Sequence, residues 1–365
     1  MNTKAYIAYL LNPLEILRTK KVLQVNPTVA PVRVEPDDLK IMVYDYNQHV
    51  LTTKEFTTVT HCFPFADSTH PTWINIDGLR KAEVEAICNH FGIHYLIIED
   101  ILSMGQRPKM DDMDNLVYCV LNMLYFNKEE SAVETEQISI VLGKNYVISF
   151  QEDATRDVFT PLRERLKVAA SKVRQQGPDF LFYTMLDLIV DNYFIVMEKL
   201  GEKIEELEED IVRNSTTRSL AKINMLRKEM IVLKRSIAPV RELVSGILRS
   251  DNLLIEEKTG KYFKDVYDHI IQANELLENY RDMMINLHDL YLSNVNLRMN
   301  EVMKVMAIVT CLLAPATVIG GIFGMNFETI PLLHNKWGFF ISVGLMLFVP
   351  LAMIRIFRKR GWFRL

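Results

Sequence analysis

Asn300, Met303, Ala307, Thr310, Ala314, Thr317, Gly321 and Gly324 recur at steps of alternately three and four residues. That spacing puts them on one face of a helix. Apart from Met303, each is small or uncharged polar. The other faces carry Val302, Val305, Ile308, Val309, Leu312, Leu313, Val318, Ile319, Ile322 and Phe323. Two kinds of chemistry need such a stripe. Small residues let helices pack closely in lipid, and Gly320-xxx-Gly324 fits the GxxxG pattern. A ring of identical helices turning the stripe inward would make a pore lined by amide, hydroxyl and backbone groups. The pattern supports the two equally, and an oligomeric pore needs both.

The stripe holds no carboxylate, so it offers no strong site for a stripped cation. Mg²⁺ dehydrates reluctantly and usually keeps several waters. Asn side chains can accept hydrogen bonds from that water shell. A path for Zn²⁺ or Cu²⁺ would more naturally offer His or Cys; Cys311, one position off the stripe, reads as a packing residue. Catalytic chemistry finds no support. Neither GxGxxG nor GxxxxGK[ST] occurs, and no Ser/His/Asp or Cys/His order forms a defensible set. The chain is not expected to be an enzyme.

Composition narrows the classes further. The 365 residues are 49% hydrophobic and 24% charged, which excludes a disordered or collagen-like chain. With 42 Lys+Arg against 46 Asp+Glu, the net charge of −4 argues against nucleic-acid binding by bulk positive charge. Cys62, Cys88, Cys119 and Cys311 are far apart, with no CxxC. Free thiols in a reducing compartment are expected rather than a disulfide or zinc framework. Ala5 to Leu11 is a short apolar run broken by Asn12-Pro13 and lacks a small-residue cleavage site, so no signal peptide is expected.

Membrane-grade hydrophobicity concentrates near the C-terminus. Val305 to Phe323 and Trp337 to Ile354 each lack any charged residue. As helices, each falls just short of the roughly 30 Å hydrocarbon thickness. Lys304 and Lys336 precede them, and Arg355, Arg358, Lys359, Arg360 and Arg364 follow the second. That is the positive-inside pattern, with Trp337 and Trp362 suited to the interfaces. Two spans predict that both termini are cytoplasmic, with only the loop 324–336 outside.

The part before the spans reads as two styles of structure. Ile41 to Tyr46, Thr72 to Ile76, Tyr95 to Ile98, Leu116 to Phe126, Gln137 to Leu142 and Tyr146 to Phe150 are expected as strands. Leu79 to Phe91 and Phe159 to Val173 are expected as helices, giving a mixed α/β domain. After Pro178 a heptad seam runs through Leu186, Val190, Tyr193, Met197, Leu200, Ile204, Leu207 and Ile211. It resumes through Ile223, Leu226, Met230, Leu233, Ile237, Val240, Val244 and Ile247. Asn214-Ser215-Thr216-Thr217 supplies the turn, so two helices of about 45 Å form an antiparallel hairpin, kinked at Pro239. Glu202, Glu205, Glu206, Glu208, Glu209 and Asp210 read as a solvated face. From Tyr262 to Ala314 there is neither Gly nor Pro. One continuous helix of roughly 80 Å is therefore predicted to run from the cytoplasm into the bilayer.

Gly324-Met325-Asn326 closes the first span, in the context Phe323-Gly324-Met325-Asn326-Phe327. Other stretches stand in order before it: Glu99-Asp100-Ile101-Leu102, Gln106-Arg107-Pro108-Lys109, Phe150-Gln151-Glu152, Asp265-Val266-Tyr267-Asp268-His269 and Asn300-Glu301-Val302-Met303-Lys304-Val305. Together these resemble the CorA family of magnesium transport proteins, over roughly residues 85–365 and more loosely from about 40. The resemblance implies an α+β membrane protein: a funnel-shaped homopentameric channel in a bacterial or archaeal plasma membrane. First membrane helices would line the pore and second helices surround them. Asn326, with Gly324 and Met325, would form the outer ring that receives hydrated Mg²⁺. Asn300, Met303, Thr310 and Thr317 would line the path, with Met306 where the family often has Leu. Asp289 would give a ring at the pore neck. Asp100 and Asp265 would meet across protomers as a regulatory Mg²⁺ site, with Glu99, Asp187 and Asp191 nearby. Read without the resemblance, these acids are solvated surface charges. The family's loop commonly reads MPEL, whereas here Ile330-Pro331-Leu332-Leu333 puts Leu332 in the glutamate's place and leaves Glu328 as the acidic ring. Ala314 stands where some members carry Met, widening any constriction there.

The expected divisions are an N-terminal segment 1–38, an α/β domain 39–176, a helical hairpin 177–250 and a long helix 260–323. The outer loop 324–336, a second span 337–355 and a basic tail 356–365 follow. The expected cargo is Mg²⁺, flowing passively inward under control of intracellular Mg²⁺, with Co²⁺ or Ni²⁺ as further ions. The alternatives are the same fold moving Zn²⁺, Co²⁺ or Ni²⁺, or a membrane-anchored coiled-coil scaffold without flux.

Overall fold

Strands form where β-branched and aromatic residues cluster, and burial sets their order. In the computed structural model, which describes residues 35–36, 39–113, 115–129, 131–153, 157–326, 330–332 and 335–362, seven strands make one sheet. They are β1 (Lys40–Tyr46), β2 (Leu51–Phe56), β3 (Thr72–Asp77), β4 (Lys109–Met113), β5 (Leu116–Asn127), β6 (Ala132–Leu142) and β7 (Tyr146–Gln151). The order is β2-β1-β3-β7-β6-β5-β4. Only β3 and β7 pair in parallel, with Thr72 opposite Tyr146 and Asp77 opposite Gln151. Both are buried along their whole length, as strands covered on two faces must be.

Helices α1 (Lys81–His90) and α2 (Tyr95–Leu102) cover one face. Val84, Ile87, Cys88, Ile97, Ile98 and Ile101 pack there against Ile41, Ile74, Ile76, Ile148 and Phe150. Burial pushes the Cys62 and Cys88 thiols up to about 12, which keeps them unreactive. The other face carries a buried polar chain. Trp73 Nε1 donates to Ser149 Oγ (2.9 Å), which donates to Asn75 Oδ1 (2.7 Å), while Asn75 Nδ2 donates to Asp77 Oδ1 (2.9 Å).

Three sequence expectations change here. Tyr95 to Ile98 is not a strand but the start of α2. Tyr95 and Leu96 are exposed while Ile97, Ile98 and Ile101 are buried, a helical spacing, and the His94 ring caps the Leu96 amide at 3.3 Å. Phe159 to Val173 is two pieces, α3 (Thr160–Lys167) and α4 (Lys172–Gln175). Val168 turns extended because Val173 and Arg174 are buried further on, with Arg174 Nε donating to the Asn47 carbonyl at 2.9 Å. Tertiary anchoring overrides helix propensity there. Strands β2 and β4 were not expected. Both are sheet edges rich in charge, the composition that protects an edge from pairing.

Glu136 on β6 supplies a pH-dependent element. Its Oε1 accepts the Glu152 and Asp153 amides at 2.9 and 2.8 Å, and its side chain is buried. Burial raises its pKa from 4.5 to about 7, against the pull of those two amides. Between those values the folded chain holds a proton that the unfolded chain releases. Stability therefore falls as pH rises from about 4.5 to 7. Glu136→Gln keeps an acceptor for both amides and removes the charge. It should flatten this slope and gain on the order of 3 kcal/mol relative to the parent at pH 8. Melting curves at pH 5 and 8 test this, and an unchanged slope in the variant would rule it out.

The chain divides into two compact units: residues to Asp210 with Thr217–Leu287, and Ile211–Thr216 with His288–Leu365. The first contains the sheet and most of α5 (Pro178–Arg213) and α6 (Thr217–Arg249). All sixteen seam positions expected from the heptads are buried. Lys222 Nζ meets Asp210 Oδ2 at 2.6 Å across the turn, and α6 continues past Pro239. At 36 and 33 residues, the two helices span about 50 Å each, slightly longer than expected. Asp179 Oδ2 accepts both Thr259 Oγ1 (2.5 Å) and the Glu256 amide (3.2 Å), fixing the start of α7 (Glu257–Phe323).

In the second unit, α7 meets the hairpin's tip. Asn294 Nδ2 donates to the Ile211 carbonyl at 3.0 Å and Arg298 Nη1 to the Ser215 carbonyl at 3.2 Å, with Arg298 Nη2 on Asn214 Oδ1. The Ile211 carbonyl, which the end of α5 leaves open, thus accepts both Asn294 Nδ2 and Ser215 Oγ (2.9 Å). The last helix, α8, runs Gly338–Lys359. Helices α5, α7 and α8 are all long and apolar enough to cross a bilayer, but the apolar window of α5 is 67% buried against 6% for the other two. Helix α5 is thus a core helix. Helices α7 and α8 expose apolar surface that water would not tolerate, as membrane spans do.

Candidate ion path and cation sites

The stripe from Asn300 to Gly324 lies exposed along α7 at every one of its eight positions. The less exposed row, Lys304, Ile308, Leu312, Pro315, Ile319 and Phe323, follows the opposite face at 3.6 residues per turn. On α8 the sheltered row is Gly338, Ser342, Met346, Met353 and Phe357. Phe323, Ser342 and Met346 line one cavity, of about 330 Å³, with Leu332. Leu332 therefore stands at the ends of the two helices, itself 44% exposed. Its φ is 72°, and its carbonyl lies 2.1 Å from where a Cβ on Gly338 would stand, so only glycine fits there.

Two hydroxyls on the stripe face inward along the helix itself. Thr310 Oγ1 donates to the Met306 carbonyl at 2.9 Å and Thr317 Oγ1 to the Leu313 carbonyl at 3.1 Å. With their protons committed, each oxygen presents lone pairs outward. The helix closes with Gly324 N on the Gly320 carbonyl (3.0 Å) and Met325 N on the Ile322 carbonyl (3.3 Å). Asn326 follows at once, exposed. Asn300, Met303 and Met306 are likewise exposed. Asp289 projects outward, 3.7 Å from His288 Nδ1. Glu328 lies outside the described residues.

A second group of donors stands in the first unit. Asp187, Asp191 and His269 offer ligand atoms within 4.8 Å of one another. Burial first, and then Asp191, raise the Asp187 pKa, while His269 and a hydrogen bond from Tyr183 oppose the rise. Burial, then Asp187, Asp265 and Asp191, push the Tyr183 phenol well up, so Asp265 borders the same cluster. His269 Nδ1 is buried with no hydrogen-bond partner, and Asp191 Oδ1 lies 3.7 Å from it. Carboxylate oxygens suit Mg²⁺, and the imidazole adds a donor suited to Co²⁺ or Ni²⁺. Sequence reasoning missed His269 as a donor, although its i+4 spacing from Asp265 puts the two on one helix face. Asp100 stands apart from this group. Its carboxylate is held by Lys109 Nζ at 2.6 Å, and Glu99 beside it is exposed.

An α/β domain, a long helix ending in Gly324-Met325-Asn326 and a second C-terminal apolar helix define a membrane protein of the two-span transport class. Residues 68–359 match the family described as CorA-like Mg²⁺ transporter protein, and the chain belongs to it. The cobalt/magnesium transport protein CorA of Thermotoga maritima is 39% identical over 327 residues, covering 89% of this chain and 93% of its own length. The protein of that name from Methanocaldococcus jannaschii is 24% identical over 293 residues, covering 80% and 90%. The complete structure of the CorA magnesium transporter from M. jannaschii has a TM-score of 0.73 at 21% identity, covering 91% of this chain and 100% of that one. The chain is therefore a divalent-cation transporter, not an enzyme, with the α/β and long-helix fold that its sequence led us to expect.

Proposed function

We propose that this chain forms a homopentameric channel for Mg²⁺, with Co²⁺ as a second cargo, in the plasma membrane. The observation that carries this reading is the exposed, uncharged stripe on α7, opposite the sheltered face and ending in Asn326. Five such stripes turned inward would give Asn326 the hydrated ion first, at a ring completed by Gly324 and Met325, with Glu328 collecting cations from outside. Thr317, Thr310, Met303 and Asn300 would line the descent, and Asp289 would ring its neck. A potential negative inside favours entry by about 4–5 kcal/mol for a divalent ion at about 100 mV, so passive flow suffices.

Control comes from intracellular Mg²⁺. Asp100 of one protomer and Asp265 of its neighbour would share the ion, with Glu99, Asp187 and Asp191 adjacent. Both termini would lie in the cytoplasm, and the divisions at 39–176, 177–250 and 260–323 would act as sensor, strut and conduit. The cobalt/magnesium name of the T. maritima relative supports Co²⁺ as second cargo. Flux into proteoliposomes, compared side by side for Mg²⁺, Co²⁺, Ni²⁺ and Zn²⁺, tests the reading. Mg²⁺ and Co²⁺ should enter; flux of Zn²⁺ alone, or none, would overturn it.

A further inference from the structure

The carboxylate of Asp100 already has a cation. Lys109 Nζ lies 2.6 Å from Asp100 Oδ2 and 3.0 Å from Asp111 Oδ2, so one ammonium bridges the two acids. The arrangement is built in. Asp100 lies in the last turn of α2, while Lys109 and Asp111 sit two apart on β4 and so share a face of that strand. Gln137 on β6 clamps both approaches: its Nε2 donates to the Asp100 carbonyl (3.1 Å) and its Oε1 accepts the Gln106 amide (3.0 Å). The Asp100 side chain is only 16% exposed, against 41% for Lys109. The acid is thus fixed and sheltered, while the ammonium reaches it from the solvent side on a flexible stem. Lys109 also lines a groove of about 300 Å³ with Glu242 of α6, whose Oε1 lies 3.4 Å from Arg241 Nη2.

We infer that Lys109 is a built-in competitor for the divalent cation at Asp100. A divalent ion reaches Asp100 only by displacing the ammonium. The inference rests on the reading that Asp100 helps bind regulatory Mg²⁺. Without the ion, Lys109 neutralises Asp100, so the empty sensor avoids a bare buried charge. The cation concentration at which the sensor fills is raised accordingly. Removing one unit charge a few ångströms from a divalent ion changes binding by about tenfold even at the dielectric of water.

The test is the Mg²⁺ concentration that half-protects the full-length, detergent-purified protein from chymotrypsin. Lys109→Met keeps the stem and removes the charge; its midpoint should fall about tenfold below that of the parent. Lys109→Arg keeps the charge and should stay near the parent. Lys109→Gln serves in place of Met if that variant does not fold, which melting in excess Mg²⁺ reports. Asp100→Ala with Asp265→Ala should raise the midpoint or abolish protection. If that double variant behaves so while Lys109→Met and Lys109→Gln keep the parental midpoint, the competitor role is wrong and the Asp100 reading survives. If the double variant also keeps the parental midpoint, the Asp100 reading itself fails and takes the inference with it.

Discussion

Asn326→Ala is expected to abolish Mg²⁺ uptake while the protein still assembles. The residue stands immediately after the last closed turn of α7, where the amides of Gly324 and Met325 bond back to Gly320 and Ile322. A Cβ at position 324 would stand 3.1 Å from the Gly320 carbonyl, so glycine keeps that closing turn tight. The Asn326 side chain is exposed beyond this end. Its amide oxygen can accept from water on the ion, and water polarised by a divalent cation is a strong donor. A hydrogen bond involving a charged group contributes about 1.5–3 kcal/mol, and a ring would lose one per protomer. Losing even two such bonds removes upward of a hundredfold in rate. Mg²⁺ entry into proteoliposomes, followed with a Mg²⁺-sensitive dye, and assembly by size-exclusion chromatography are the measurements. Parental flux in a normally assembled variant would show that Asn326 does not receive the ion.

Long-range patterns made most of this architecture legible, and local ambiguity hid the rest. Heptads declare themselves over many turns, so the seam positions from Leu186 to Ile211 and from Ile223 to Ile247 were found inside without exception. The two apolar spans were equally plain, although composition alone would also have admitted α5, whose burial marks it as core. Tyr95-Leu96-Ile97-Ile98 misled because four consecutive apolar residues fit a strand or a helix equally well. Strand β4, Lys-Met-Asp-Asp-Met, gives no hydrophobic alternation at all, and only its pairing with β5 defines it. The same loss of local signal hid the site chemistry around it. That Lys109 would reach back to Asp100 depends on how the chain turns between α2 and β4, and no spacing rule carries that. Asp187 and Asp191 were named through family resemblance; what the fold adds is His269, arriving from a helix about eighty positions later.

Replacing both Asp100 and Asp265 by Ala should release uptake from inhibition by internal Mg²⁺. With the ion absent, Asp100 pairs with Lys109 of its own protomer and nothing ties it to its neighbour, whereas a divalent ion shared by Asp100 and Asp265 makes a cross-link. Asp265 is exposed on α7, and the same unbroken helix carries Asn300 and Met303. Loss of the ion at low internal Mg²⁺ would free neighbouring protomers to shift, and a continuous helix can pass that shift to the narrow part of the path. The signal needs only a difference in affinity between closed and open states, of order 1–3 kcal/mol per coupled site. Summed over the protomers of a ring, that is ample to move a two-state equilibrium from closed to open. The double variant should therefore need at least about tenfold more internal Mg²⁺ to halve its flux, the effect of about 1.4 kcal/mol at a single site. Flux from proteoliposomes preloaded with graded Mg²⁺ measures this. Should the variant shut off at the same internal Mg²⁺ as the parent, the sensor lies elsewhere. Asp187 and Asp191, whose ligand atoms already gather with those of His269, would then be the acids to replace next.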